Sequence, residues 1–115
     1  MPQPRRSVIG SLLLAIALFA SGCSEAIVLP DNADPELFIG QDVWQMRCAQ
    51  CHGADGGGGI GPNIQNVEER LTDVEQRSVV VNGRNGRMPA FGATLVDADI
   101  DAVVRYTREI LRSPE

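Results

Sequence analysis

Cys48, Cys51 and His52 stand together in the run Cys48-Ala49-Gln50-Cys51-His52. Two thiols at this spacing, followed at once by an imidazole, form the pattern C-x-x-C-H, which attaches a c-type haem covalently. The spacing has a chemical reason. Thiols one helical turn apart can add to the two vinyl groups of one haem. The imidazole that follows is then held under the iron as proximal ligand. Other readings of these residues fit less well. A thioredoxin-like C-x-x-C needs a β-α-β setting, and no such pattern surrounds this one. A simple Cys48–Cys51 disulfide suits an oxidising compartment but gives His52 no part to play. A zinc site needs about four Cys or His ligands. Only four such residues exist, and one of them, Cys23, belongs to the start of the chain. A hydrolase would need His52 as its base, and a place directly beside Cys51 is not triad geometry.

The elements that must present these residues read as helices. Asp34 suits an N-cap, Pro35 the first helical position and Glu36 the positive end of the helix dipole. Leu37, Gly40, Trp44 and Cys48 recur at spacings of three and four and share one predicted face. Gly40 costs about 1 kcal/mol relative to Ala inside a helix. A second helix crossing closely at that point would explain it. Gly53 to Gly61 holds six glycines and reads as a loop. Gly56-x-Gly58-x-x-Gly61 matches a dinucleotide fingerprint only in form, since no strand precedes it and no amphipathic helix opens on it. Thr72-Asp73-Val74-Glu75 is a capping box. Its helix is predicted to run to Val81 and stop at Asn82-Gly83. Asn82 to Gly92 reads as another loop. A last helix is predicted from Asp97, with Ile100, Val103, Tyr106, Thr107 and Ile110 on its apolar face. No strand-period segment stands out, so the predicted class is all-α with long loops.

The whole chain has 115 residues, at most one ordinary domain. Arg5 and Arg6 precede an uncharged apolar run of 13 residues, Val8 to Ala20. That is the layout of a secretory signal peptide, predicted over residues 1–22. A membrane-spanning helix needs roughly 20 residues. Ala20-Ser21-Gly22-Cys23 resembles the bacterial lipoprotein box, with Ala20 where that family prefers Leu. The resemblance implies cleavage before Cys23 and a diacylglyceryl group on its sulfur. Residues 23–34 then form a lipidated cysteine and a short tether. The eleven residues Ser24 to Asp34 reach at most ~40 Å when extended. The mature segment from Cys23 has 93 residues, with 8 Arg, no Lys and 15 acidic side chains, a net −7. An acidic chain with no basic cluster is a poor nucleic-acid binder. Its aromatics are only Phe38, Trp44, Phe91 and Tyr106. That is a thin apolar supply, which a haem would complete.

From Asp34 to Leu111 the chain resembles the class I cytochromes c, small mono-haem electron carriers. The resemblance rests on C-x-x-C-H, Gly61-Pro62-Asn63, Met88-Pro89-Ala90-Phe91 and the terminal helices. It implies a small cytochrome c fold over residues 35–115, with three to five helices and long loops wrapped around one covalent haem c. It implies that Gly40 and Trp44, eight and four residues before Cys48, pack against Tyr106 on the last helix. It also implies that the Pro62 carbonyl accepts a hydrogen bond from the His52 ring, which fixes the ring and raises its basicity. For the sixth iron ligand a second histidine and any lysine are missing. Met46 and Met88 are the soft candidates. Met46 lies two residues before Cys48, on the proximal side. Met88 lies 36 residues beyond His52, in a loop that can cross to the other face. It also completes the family's M-P-x-F pattern. An open sixth site is the alternative. Arg84 and Arg87 flank Met88 as partners for haem propionates, as a docking rim or as solvated side chains.

The expected function is electron transfer, not enzymatic catalysis. The protein would be exported and lipid-anchored, on the periplasmic or other extracytoplasmic face of a bacterial membrane. It would pass single electrons between redox protein partners, membrane oxidoreductases above all. At net −7 it suits basic or apolar partner surfaces. A dedicated haem subunit of a membrane or periplasmic oxidoreductase complex is the alternative. A gas-binding sensor or a peroxidase would require an open sixth site and usually distal acid–base residues.

Overall fold

Asp34 and Pro35 open the first helix as their chemistry predicts. The computed structural model describes residues 26–113, so the signal segment and Cys23 lie outside the described residues. Helix α1 spans Pro35–Val43, and Asp34 Oδ1 accepts a hydrogen bond from the Glu36 N–H at 3.0 Å. The helical path does not stop there. It passes through a five-residue π turn, Trp44–Cys48, into the short helix α2, Ala49–His52. Glycine-rich chain then leads to a 3-10 turn at Val67–Glu69. Helix α3 spans Asp73–Asn82 and helix α4 spans Asp97–Glu109. The only strand-like feature among the described residues is an isolated bridge between Arg84 and Met88. The fold is all-α.

The capping box forms in both directions. Thr72 Oγ1 accepts from the Glu75 N–H at 3.3 Å, and the Glu75 carboxylate accepts from the Thr72 N–H at 2.8 Å. Helix α3 runs one residue past its predicted end, to Asn82, and Gly83 caps it with φ +72°. Among the described residues no helix is long and apolar enough to cross a membrane.

The core lies where α1 crosses α4. It gathers Leu37, Val43 and Trp44 from the first segment, Val103 and Tyr106 from α4, and Leu29 and Leu111 from the flanks. Gly40 sits at the crossing. A Cβ there would strike the Ala102 carbonyl oxygen and lie 2.7 Å from the Tyr106 Cβ. The glycine therefore allows backbone to approach backbone.

The lead-in corrects one expectation. Residues 24–34 read as a free tether, but the chain is docked from Ile27 onward. Leu29 is buried in the core, and Gln41 Nε2 donates to the Ile27 carbonyl at 2.7 Å. Pro30 and Ala33 close a turn just before α1. The structured domain thus begins before residue 35. The cause is composition: Ile27 and Leu29 bring apolar surface that the sparse core can bury.

Helix α3 is held differently. Its only buried residue is Gln76. Gln76 Nε2 donates to Thr107 Oγ1 at 2.6 Å, and its Oε1 accepts from Arg108 at 3.1 Å. At the surface Arg77 pairs with Asp97 at 2.8 Å and Asp101 at 2.6 Å. Polar contacts therefore dock α3 onto α4, while Val79, Val80 and Val81 remain only half-buried.

Candidate functional site

The π turn carries Cys48 out of the straight α-helical face that spacing alone predicts. The Ala49 N–H donates five residues back, to the Trp44 carbonyl. Single π turns inside helices are frequent at functional sites. Leu37, Gly40 and Trp44 are buried as predicted, but Cys48 and Cys51 are only half-buried. Both thiols are free. Burial, with Cys51 nearby as a lesser cause, pushes the Cys48 thiol up to about 11. Thiol–disulfide exchange requires a thiolate, and burial disfavours that form at Cys48.

His52 ends α2, and three neighbours surround it. Its Nδ1 lies 2.8 Å from the Pro62 carbonyl oxygen. A carbonyl can only accept, so Nδ1 carries a proton, and in the neutral ring Nε2 keeps its lone pair. A Cβ on Gly61 would come within 3.0 Å of the ring's Cε1 and Nδ1. The Trp44 ring lies 6.1 Å from the His52 ring, tilted by 32°. Backbone bonds shape the loop that follows. Gly58 N–H donates to the His52 carbonyl at 2.7 Å and Gly61 N–H to the Cys51 carbonyl at 2.6 Å.

Met88 is half-buried on the segment after α3. Its N–H donates to the Arg84 carbonyl, and its carbonyl accepts from the Arg84 N–H, both at 3.1 Å. Asn85 and Gly86 make the turn between them, with φ +55° and +65°. An Asn-Gly pair at two such positions is the signature of a tight hairpin turn. That signal was present in the sequence, inside a segment read only as a loop. Phe91 and Gly92 N–H groups then donate to the last turn of α3, at Val80 and Val81. Met46, the other thioether, is exposed on the π turn. Arg84 and Arg87 are exposed and pair with no carboxylate among the described residues.

The family model of the cbb3-type cytochrome c oxidase subunit III matches residues 36–106. A cytochrome c-553-like protein of Synechocystis sp. is 32% identical over 89 residues, covering 73% of this chain and 81% of its own. The chain belongs to the mono-haem class I cytochromes c. Among solved structures, the cytochrome c6 of the diatom Phaeodactylum tricornutum superposes with a TM-score of 0.55 at 31% identity. That match covers 63% of this chain and 90% of the other. Dihydro-haem d1 dehydrogenase NirN, in complex with DHE, superposes with a TM-score of 0.61 at 34% identity. The match covers 67% of this chain but only 17% of NirN.

One covalent haem c, bound through Cys48 and Cys51, makes this cytochrome an electron carrier. The residues fit that group. Both cysteines are unbridged and reachable. Val79, Val80, Met88 and Phe91 are half-buried and stand outside the α1–α4 core cluster. Such apolar surface suits the faces of a flat, apolar macrocycle. Trp44 and Tyr106 share the core cluster with Gly40 at the crossing, as the family resemblance implied. The contact of Trp44 with His52 was not read from the sequence. The π turn between the two residues is likewise announced by no spacing rule.

Proposed function

We propose that this cytochrome holds its haem iron between His52 and Met88 and works as a membrane-tethered, extracytoplasmic electron carrier. The observation that carries the reading is the Nδ1–Pro62 hydrogen bond, at 2.8 Å, which leaves Nε2 of His52 as a ligating lone pair. Met88 supports it, because a bridge and a tight turn hold its backbone. A bound haem supplies reversible one-electron chemistry at its iron. Cys48 and Cys51 hold the group covalently. Pro62 sets the tautomer and direction of His52. The hairpin holds Met88 in place, and with both His52 and Met88 holding the iron no site on it would stay open to exogenous ligands. Gas sensing and peroxide chemistry both need such an open site.

The tether supports membrane redox partners. Cys23, the proposed lipidation site, precedes the docked Ile27 by four residues. That segment spans only ~14 Å when extended. The domain then stays close to the bilayer, within reach of membrane oxidoreductases. A role as dedicated haem subunit is the second reading, favoured by the match to an oxidase subunit family. Co-purification of a stoichiometric partner separates the two.

The test is an absorption spectrum of the periplasmically matured protein, recorded oxidised, reduced, and reduced with carbon monoxide. A low-spin spectrum with a far-red sulfur-to-iron band, unmoved by carbon monoxide and lost in Met88→Ala, is expected. A high-spin spectrum or rapid carbon monoxide uptake by the wild type would overturn the ligation. Mass spectrometry of the N-terminal peptide tests the lipid on Cys23 independently.

A further inference from the structure

Helix α2 is the last four residues of the helical segment that starts at Pro35, joined to it through the π turn. His52 is its last residue, and Gly53 turns the chain away with φ +84°. The hydrogen bond to Pro62 fixes one atom of the ring. Gly61 packs at the same Nδ1–Cε1 edge, so a contact elsewhere on the ring is what remains to set its plane.

Trp44 supplies one. It is 2% exposed, the first residue of the π turn and part of the core cluster. Its ring meets the His52 ring at a centroid distance of 6.1 Å, within the range of favourable aromatic contact. Its Nε1–H donates to the Ala54 carbonyl at 3.0 Å. Ala54 lies two residues beyond His52, so this bond ties down the chain as it leaves the histidine. Residues eight apart rise about 12 Å along a straight α-helix. Here the chain between them runs through the π turn, and the two large side chains reach each other across the remaining separation.

We propose that Trp44 is a positioning residue for His52. It sets the imidazole plane by ring contact and anchors the outgoing backbone through Ala54. A phenylalanine would fill the α1–α4 crossing but could not make the second attachment. The inference rests on the reading of His52 as iron ligand, and the experiment separates the two.

Three variants of the holoprotein decide it: Trp44→Phe, Trp44→Leu and the core control Val103→Ala. The measurements are helix content by circular dichroism, the reduction potential, and the hyperfine-shifted ring resonances of His52. Amide exchange at Gly58, whose N–H donates to the His52 carbonyl, is a fourth. In Trp44→Phe, helix content should stay at the wild-type level while the His52 resonances and the potential move. Exchange at Gly58 should rise about fivefold, the weight of one ordinary hydrogen bond. Trp44→Leu should enlarge the resonance shift. Val103→Ala should lower stability yet leave resonances and potential in place. The proposal is overturned if Trp44→Phe moves them no more than Val103→Ala does, whatever becomes of Trp44→Leu. A His52→Ala variant that keeps the wild-type low-spin spectrum would overturn the ligand assignment, and the proposal with it.

Discussion

At Gly83 the backbone turns with φ +72°, and a Cβ there would strike the Met88 carbonyl oxygen and lie 2.9 Å from the Ala90 nitrogen. The atoms in the way are backbone, so they cannot swing aside. Gly83→Ala should therefore cost about 1–3 kcal/mol in strained backbone. It should also break the Arg84–Met88 bridge and loosen Met88. The expected readout is carbon monoxide binding to the reduced variant but not to the wild type. A variant that stays inert to carbon monoxide would show that the hairpin does not govern Met88. Gly86 turns through a similar φ of +65°, yet nothing lies within 4 Å of its would-be Cβ. Its requirement is conformational only, and the Gly83 substitution should be the more damaging.

Helices α1 and α4 meet through Gly40, and their contact sets the rest of the architecture. Gly40→Ala would gain about 1 kcal/mol of helix propensity. Overpacking against the Ala102 carbonyl should cost about 1–3 kcal/mol or more, because main chain must move. The clash wins, and the denaturation midpoint of the holoprotein should fall. A second joint between these helices is ionic. Arg105 binds Asp34 at 3.0 Å, Glu36 at 2.5 Å and Glu109 at 2.8 Å, and these bonds raise its own pKa. The Glu36 N–H, and after it Arg105, hold the Asp34 carboxyl below its ordinary value near 3.8. A depressed carboxyl stabilises the fold above its unfolded pKa. That contribution is lost as pH falls through the lower folded value. The start of α1 should thus fray below about pH 4, read as faster amide exchange at Glu36. An Arg105→Ala variant should fray at higher pH than the wild type, because Asp34 titrates closer to its ordinary value. These groups are exposed, and the effect should shrink in salt.

Among the described residues the buried apolar side chains of the core cluster are one-sided. The core cluster draws on α1, the π turn, α4 and the lead-in, and none of it comes from α3. Val79, Val80 and Val81 of α3, and Met88 and Phe91 after it, are only half-buried, and a covalent haem would add apolar surface to such a sparse core. A Cys48→Ala/Cys51→Ala chain, which cannot attach it, should be largely unfolded by circular dichroism, with α3 the least ordered part. Full native helix in that variant would show that the protein core suffices alone. The docked lead-in matters at this scale too, since it shortens the span available between Cys23 and the domain.

Much of this was legible in the order of residues, because it depends on local chemistry. C-x-x-C-H states the attachment chemistry by its spacing. Asp34-Pro35 and the Thr72–Glu75 box mark helix starts, since caps are satisfied by near neighbours, and Asp97 and Asp99 mark the third by their charge in its first turn. Gly40 announced a close crossing by standing on an apolar face. Leu29 was not legible as core, because a short apolar stretch looks the same whether tethered or docked. Its burial depends on surface that α1 and α4 offer from afar. The π turn and the Trp44–His52 contact were hidden for a related reason: a one-residue change of helical pitch leaves no compositional trace. Tertiary structure alone decided which ring lies beside His52, because that choice depends on how distant segments share limited space.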